Sequence, residues 1–300
     1  MVRPYFKNTE HEKLFFENGY LLLPFLEPDE VAELHSLYSR FMPLTIEDLY
    51  ASTLFNTAEV NREVNEAIRQ ILNPATARIC EAGKLLGGSF LVKSPLHSTN
   101  LPLHQDWNIV DETTYASAML WCPLQDTTQE NGTLYVLPGS HRFFTNYRSG
   151  AMPSRRIPIT PALQPYVKTI NVKAGEVLVY HPALFHGSHP NQSKKLRIVA
   201  AGSTVHADAA LVYYHLNRQT GQIEVYAADN DFYLNVIPLL EEGKLPPDAI
   251  LLQTLAANLF YPDAADLLAK LVPSAQAVKL PETGYSYSFW RRLKTLIGSR

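Results

Sequence analysis

Two residues with metal-binding side chains, His104 and Asp106, lie two positions apart in the segment Leu103-His104-Gln105-Asp106-Trp107. In an extended strand, residues two apart project from the same face, so this imidazole and this carboxylate can reach one point. Two histidines and one carboxylate on one octahedral face suit a non-haem Fe(II) centre, because the opposite face stays open for other ligands. Taken alone the pair is weak evidence, since a histidine near a surface aspartate is a common pattern.

Three further histidines, in the segment 175–191, are candidates for the missing ligand. The segment starts with the apolar pattern of a strand, and His181, His186 and His189 lie at its end or in the turn that follows. His181 is also explained as a core histidine, whereas His189 lies past the turn. The residue types alone leave all three open.

A single arginine, Arg197, interrupts the apolar strand pattern of residues 196–201. Burying a guanidinium is costly unless it meets an anion, and a bidentate carboxylate is its natural partner. The distal carboxylate of 2-oxoglutarate would serve, and so would an internal Asp or Glu. The strand pattern alone does not separate these two partners.

The segments that must position these residues have the pattern of a β-rich core. From residue 89 to about residue 226, short apolar or alternating runs are separated by Gly, Pro and Asn turns, as in a β-sandwich or barrel. Residues 143–165 are rich in Pro and Arg with little periodicity, which predicts a long surface loop inserted in this core. We expect one domain over residues 1–300.

Helical patterns flank the core on both sides. Residues 1–88 are predicted to form a mainly helical N-terminal support, and residues 227–300 a helical C-terminal extension. The individual predictions are a helix, strand and helix between Glu10 and Met42, a helical stretch over residues 60–86 interrupted at Pro74 and ended by Gly87-Gly88, and helices over residues 249–272 and 288–297.

The composition favours a packed globular protein and argues against several classes. Hydrophobic residues make up 46% of the chain, and the formal net charge of -3 gives no footprint of a nucleic-acid partner. Cys80 and Cys122 form no CxxC motif, which argues against a disulfide framework or cysteine zinc site and fits a reducing cytoplasm. No apolar run reaches the roughly 18 residues that a transmembrane span needs.

Four motifs in order resemble the phytanoyl-CoA dioxygenase family. They are the opening Phe15-Phe16-Glu17-Asn18-Gly19-Tyr20-Leu21-Leu22-Leu23-Pro24, then His104-Gln105-Asp106, then Asn131-Gly132-Thr133-Leu134-Tyr135-Val136-Leu137-Pro138-Gly139-Ser140-His141, and finally His186-Gly187-Ser188-His189-Pro190-Asn191 with Arg197 eleven positions after His186. The resemblance covers roughly residues 10–205. Four motifs with matching order and spacing are far more specific than any one of them.

The resemblance implies a mainly β fold with flanking helices around a double-stranded β-helix (jelly-roll, cupin-like) core, with Fe(II) at one open end. His104, Asp106 and His186 match the family's iron ligands, and the spacing to Arg197 favours His186 over the neighbouring histidines.

The resemblance also implies the cosubstrate site. Arg197 matches the arginine that pairs with the 5-carboxylate of 2-oxoglutarate, and Ser188 the hydroxyl that assists it. Lys93 and Trp121 fall where family members contact the cosubstrate. Gln105 is expected near the site but pointing away from the metal, on strand geometry.

The reaction implied is oxidation of a small molecule by O2, coupled to conversion of 2-oxoglutarate to succinate and CO2. Because Asp106 is present where related halogenases have a small residue, hydroxylation of an aliphatic C–H in a metabolite, acyl chain or natural product is favoured. Desaturation, cyclisation or epimerisation with the same cofactors is the alternative. A non-catalytic jelly-roll binding module is a further alternative from another class.

Two basic segments bear on partners. Residues 131–174 contain no Asp or Glu but six Arg and Lys, a field that could attract an anionic substrate or could simply be a solvated loop. The six are Arg142, Arg148, Arg155, Arg156, Lys168 and Lys173. The C-terminal segment 289–300 has a basic amphipathic pattern that suits a membrane surface, a protein partner or a helix docked on its own domain.

Overall fold

The computed structural model describes residues 4–41, 43, 46–96, 98–144 and 146–272. Its helices are α1 (Thr9–Asn18), α2 (Pro28–Phe41), α3 (Ser52–Phe55), α4 (Ala58–Ile79), α5 (Asn230–Val236) and α6 (Ala264–Leu271). Its strands are β1 (Tyr20–Pro24), β2 (Leu49–Ala51), β3 (Gly83–Lys93), β4 (Leu101–His104), β5 (Ser117–Pro123), β6 (Leu134–Val136), β7 (Lys168–Thr169), β8 (Glu176–Tyr180), β9 (His186–Ser188), β10 (Arg197–His206), β11 (Val212–Asn217), β12 (Gln222–Ala227) and β13 (Leu251–Ala256). None of the described helices is long and apolar enough to span a membrane. The predicted helix over residues 288–297 and its basic segment lie outside the described residues.

Two antiparallel sheets form the core. The larger sheet has the strand order β1-β8-β5-β10-β3-β2, and the smaller one has the order β4-β9-β6-β7. Apolar side chains from both sheets meet in one buried cluster, which includes Trp121 and Leu178 from the larger sheet and Val136 from the smaller one. The two sheets therefore face each other across a shared interior. The predicted fold class, a mainly β protein with flanking helices around a double-stranded β-helix, is confirmed.

The outer face of the larger sheet is covered by helices. Strand β3 alternates, because Phe90 and Val92 are fully buried in the cluster that contains Leu34 of α2 and Ile68 of α4. Leu91, between them, packs against the interior cluster instead. Alternate side chains of β3 thus point to opposite faces of the sheet, as in any strand that is buried on both faces. The inner face, which is not covered by the described helices, is available for the site.

The N-terminal 88 residues contribute to the core itself. Strand β1 pairs antiparallel with β8 over Tyr20–Pro24 and forms one edge of the larger sheet. Strand β3 already begins at Gly83, before the expected start of the core at residue 89. The mainly helical support predicted for residues 1–88 therefore also supplies sheet strands.

The long helix α4 runs through Pro74 without interruption and ends at Ile79, so the predicted break at Pro74 and the end at Gly87-Gly88 are wrong. Pro74 and Gln70, whose carbonyl loses its helical partner, are both exposed, so water can hydrate that carbonyl. Gly88 lies inside β3, where an added Cβ would come within 2.7 Å of the Asn65 carbonyl oxygen of α4. The absence of a side chain at Gly88 therefore permits α4 to pack closely on β3.

The helix predicted over residues 249–272 is also wrong in its first half. Residues 251–256 form strand β13, which extends a third sheet of order β11-β12-β13. Periodicity cannot separate a short apolar run from a helix, and here pairing with β12 supplies the backbone hydrogen bonds. The helix begins only after Asp263, whose side chain forms a capping box with Asp266.

The insertion 143–165 is less exposed than the surface loop predicted for it. Met152, Ile157 and Leu163 are buried, and Ile157 forms an isolated antiparallel bridge with Leu103 of β4. Its apolar side chains pack against the core. Their spacing along the sequence is irregular and so gives no helical or strand pattern. The loop is thereby fixed beside the strand that holds His104.

Replacing Gly187 with alanine is expected to destabilise the protein by about 2 kcal/mol or more, because the new Cβ would overlap the Leu101 carbonyl oxygen and lie 2.6 Å from the Tyr135 ring. Chemical denaturation measures the loss. Gly221→Ala is the matched control, since its turn has open space and only a positive φ of 69° to oppose a side chain. An equal loss in both variants would contradict the steric role assigned to Gly187.

Candidate metal centre

Two strands of the smaller sheet bring the candidate ligands together. His104 is the last residue of β4 and His186 the first of β9, and the two are direct partners in the antiparallel register. The Nε2 atoms of His104 and His186 lie 3.7 Å and 3.6 Å from the two carboxylate oxygens of Asp106. Candidate ligand atoms of all three residues lie within 4.8 Å of one another. Three donors converging on one point fit a divalent transition-metal ion.

Backbone carbonyls orient both imidazoles. The Nδ1 of His104 lies 2.9 Å from the Pro102 carbonyl oxygen, and the Nδ1 of His186 lies 2.9 Å from that of Leu184. Because a carbonyl only accepts, each Nδ1 bears the proton and each Nε2 presents its lone pair to the shared point. Burial, with the charges of Arg156 and His186, lowers the pKa of His104 well below 6.5, which favours the neutral, metal-binding form.

Asp106 is held through three separate contacts. Its backbone N–H donates to the Pro182 carbonyl at 2.8 Å, and its own carbonyl accepts from the Arg148 Nε at 2.7 Å. The Tyr180 hydroxyl donates to its carboxylate oxygen Oδ2 at 2.9 Å. Arg148 is itself fixed by a partly buried ion pair with Glu112, at 2.6 Å and 2.8 Å. These supports hold the carboxylate towards the two imidazoles.

Tyr180→Phe is expected to weaken metal binding about tenfold, because it removes the hydroxyl that orients the Asp106 carboxylate. Burial and the adjacent Asp106 raise the pKa of Tyr180 well above 10, so it remains a donor at neutral pH. Calorimetric titration with Mn(II) measures the change. Tyr50→Phe is the control, since its hydroxyl donates to Asn56 instead. Equal Kd values for both variants would argue against this role.

The competing histidines have other partners. His181 is half-buried with its ring beside those of Phe15 and His141, at 5.9 Å and 5.3 Å between centroids, and desolvation lowers its pKa to about 3. The Nε2 of His189 lies 2.9 Å from the Thr169 hydroxyl. Neither joins the three-residue cluster, which leaves His186 as the third member.

Gln105 is hydrogen-bonded to the backbone of another segment. Its side-chain amide donates to the Ala183 carbonyl at 2.7 Å. This bond joins the segment that holds His104 and Asp106 to the turn before His186. Gln105 therefore supports the geometry from outside the cluster.

Arg197 lies on the inner face of the larger sheet and is 2% exposed. Its Nε and Nη1 atoms are buried and make no hydrogen bond. Its guanidinium carbon lies 5.5 Å from the centre of the Trp121 ring, and burial lowers its pKa from 12.5 to about 9. A buried guanidinium with unbonded donors fits a carboxylate ligand, and no ion pair from Arg197 to an Asp or Glu occurs among the described residues.

Lys93 lies directly opposite Arg197 in the β3–β10 register and is fully buried. Its Nζ lies 2.9 Å, 3.3 Å and 2.5 Å from the carbonyl oxygens of Thr99, Ser188 and His189. Burial and the Arg197 charge lower its pKa to about 6. These backbone contacts hold the Lys93 amine against the end of β9, where Ser188 is also buried.

Four neighbours of the metal-ligand cluster were not predicted from the sequence to lie there. They are Tyr180, Arg148, Glu112 and Arg156. Arg148 and Arg156 were visible only as members of a basic loop. Their positions depend on how the insertion folds back onto β4, for which the sequence has no pattern. Tyr180 had a usable signal, because it lies at the end of a predicted strand next to the histidine-rich turn.

Comparisons with known proteins identify relatives. A family model described as phytanoyl-CoA dioxygenase matches residues 15–199. The chain is 26% identical over 141 residues to a phytanoyl-CoA dioxygenase domain-containing protein 1 homolog of Dictyostelium discoideum, covering 44% of this chain and 50% of that protein. It is 30% identical over 124 residues to a phytanoyl-CoA dioxygenase of Arabidopsis thaliana, covering 40% and 43%. The chain thus spans about half the length of these curated relatives, or less.

Solved structures with a similar backbone fold include those of SnoN and HygX. The epimerase SnoN, in complex with Fe3+, alpha ketoglutarate and nogalamycin RO, aligns with a TM-score of 0.48 at 19% identity, covering 68% of this chain and 86% of that one. HygX from Streptomyces hygroscopicus, with nickel and 2-oxoglutarate bound, aligns with a TM-score of 0.47 at 16% identity, covering 67% and 88%.

Proposed function

The chain belongs to the phytanoyl-CoA dioxygenase family, and we propose on that basis that it is an Fe(II)- and 2-oxoglutarate-dependent dioxygenase. It hydroxylates an aliphatic C–H of a small metabolite, acyl chain or natural product, and it releases succinate and CO2. His104, Asp106 and His186 hold the iron, and Arg197 binds the distal carboxylate of 2-oxoglutarate. The convergence of the two Nε2 atoms on the Asp106 carboxylate carries this proposal.

The chemistry divides between the cofactors and the protein. Iron with 2-oxoglutarate and O2 supplies the oxidising power when bound. The residues of the chain position and shield that chemistry. His104, Asp106 and His186 would hold the metal as a three-residue set, which would leave coordination positions for cosubstrate and O2. Arg197 and Trp121, buried in the sheet interior, orient the cosubstrate and exclude water.

An anaerobic titration tests the proposal directly. We expect Fe(II) and 2-oxoglutarate together to produce a visible charge-transfer band, and substrates from a metabolite panel to perturb it. A compound that perturbs the band should stimulate succinate formation in air. Failure to bind iron or 2-oxoglutarate would instead favour a non-catalytic jelly-roll binding module.

Product mass separates the oxidative outcomes. A gain of one oxygen atom supports hydroxylation. A loss of two hydrogens indicates desaturation or oxidative cyclisation, and no change in mass indicates epimerisation. The retained carboxylate at Asp106 favours hydroxylation over halogenation, because it occupies the position that a halide would need.

The cytoplasm is the location that we propose. Cys80 and Cys122 are both buried and unpaired, which fits a reducing compartment. Burial raises the pKa of Cys80 to about 11, so its thiol stays protonated and unreactive at neutral pH. Persistence of two free thiols in protein isolated from cells under thiol-blocking conditions is the corresponding test.

A further inference from the structure

Arg156 is placed opposite a metal ligand by the fold of the insertion. Ile157 and Leu103 form a hydrogen-bonded antiparallel pair, with N–H to O distances of 2.8 Å and 3.0 Å between donor and acceptor atoms. In that register the next pair along is Arg156 and His104, and opposed residues in an antiparallel pair project from the same face. Leu103 and Ile157 both enter an apolar cluster on the other face. Arg156 and His104 therefore share the face of the metal centre.

The charges around Arg156 agree with this position. The Asp106 carboxylate and the Tyr135 hydroxyl both favour its cationic form, whereas burial lowers its pKa to about 10. Of the charges that lower the pKa of His104, that of Arg156 has the largest effect. Arg156 thus remains a cation at neutral pH, close to two of the three proposed ligands.

The other arginines of the basic segment differ from it. Arg148 forms an ion pair with Glu112, in which its Nη2 donates to both carboxylate oxygens. Arg155 points outwards, where its side chain is one-third exposed and lies 3.9 Å from Asp263. Among these three arginines, only Arg156 has the carboxylate of a proposed metal ligand, Asp106, as the charge that most strongly stabilises its cationic form.

Charge balance at the centre then calls for one more anion. Fe(II) brings two positive charges, and Arg156 and Arg197 bring one each. Asp106 and 2-oxoglutarate together contribute three negative charges. These groups together therefore carry a net charge of +1, which favours an additional anionic ligand in a buried site.

We propose that Arg156 binds a carboxylate beside the metal, and that this carboxylate belongs to the organic substrate. The inference rests on the proposed function, and it narrows the substrate to an organic acid whose oxidised carbon lies near its carboxylate. A carboxylate matches the planar fork of a guanidinium. The C1 carboxylate of 2-oxoglutarate has the same chemistry and is the second source that an experiment must separate.

Paramagnetic relaxation tests the site without knowing the substrate. Acetate is the probe and acetamide the neutral match, with protein loaded with Mn(II) and saturated with 2-oxoglutarate. In the wild type, Mn(II) should relax the acetate methyl protons at least several-fold more than those of acetamide. Arg156→Gln should remove this preference, Arg156→Lys should keep part of it, and Arg155→Gln should keep all of it. Circular dichroism and Mn(II) stoichiometry verify that each variant is folded and loaded.

The affinity for 2-oxoglutarate separates the two sources. It is read from the anaerobic Fe(II) charge-transfer band, and it should stay within about twofold of wild type in Arg156→Gln if the substrate supplies the carboxylate. A loss of about tenfold or more, the cost of a charge-assisted hydrogen bond, would assign Arg156 to the C1 carboxylate instead. Unchanged acetate relaxation together with unchanged 2-oxoglutarate affinity would overturn the inference. The band in the wild type reports on the proposed function independently.

Discussion

His186→Ala is expected to weaken Fe(II) binding by more than about 100-fold and to abolish succinate formation. Loss of a residue that only orients a ligand already costs 10- to 100-fold, and His186 supplies a ligand atom itself. With its imidazole gone, His104 and Asp106 remain as a two-ligand site at the end of β4. Anaerobic Fe(II) titration and a succinate assay measure the two effects.

His189→Ala is the matched control, three positions further along the same segment. It removes the hydrogen bond to Thr169 and the ring contact with Tyr135, so a modest loss of stability of about 1 kcal/mol is expected. Its metal affinity should match that of the wild type. If His189→Ala lost the metal while His186→Ala kept it, the assignment of the third ligand would be wrong.

The first two ligands could be predicted from local geometry, and the third could not. His104 and Asp106 need only the two-residue period of an extended chain. His186 reaches them through the antiparallel pairing of β4 and β9, which is a long-range contact that no local pattern encodes. The resemblance to a known family supplied this information through the spacing to Arg197. Three histidines within nine residues would otherwise have remained equivalent.

The elements that failed to follow prediction have a common physical origin. Helix α4 passes through Pro74 because the affected carbonyl faces solvent, and β13 is extended because a partner strand is available. Both outcomes depend on tertiary surroundings that override local propensity. Arg156 belongs with them, since its position depends on a bridge between the irregular insertion and β4.

Lys93 shows how a residue can lie at a predicted position and have a role that the sequence does not reveal. The resemblance assigned it to the cosubstrate. In the structure its Nζ is hydrogen-bonded to the carbonyls of Ser188 and His189, at the end of the strand that contains His186. A contact of Lys93 with 2-oxoglutarate stays a prediction, and any such contact has to coexist with these bonds. The bracing of β9 follows from these hydrogen bonds alone.

Arg197→Met is expected to weaken 2-oxoglutarate binding by more than about 100-fold, because a buried bidentate ion pair would be lost. The same change should not lower the thermal midpoint of the protein without ligand. Burial depresses the pKa of Arg197 in the folded protein from 12.5 to about 9, so its cationic form opposes folding at all pH values below about 9. Methionine has a similar length and no charge to desolvate. Anaerobic titration and thermal unfolding measure the two effects.

The combination of these two effects identifies a ligand-binding arginine, because a structural arginine would behave differently. If Arg197 were held by an internal carboxylate, its removal would leave that carboxylate buried and unpaired, at a cost of about 3–5 kcal/mol. Wild-type protein with Mn(II) should gain thermal stability on addition of 2-oxoglutarate, and Arg197→Met should gain none at the same concentration. Arg197→Lys keeps the charge without the planar fork and should bind 2-oxoglutarate with intermediate affinity. A destabilised Arg197→Met variant with normal 2-oxoglutarate affinity would place the cosubstrate elsewhere.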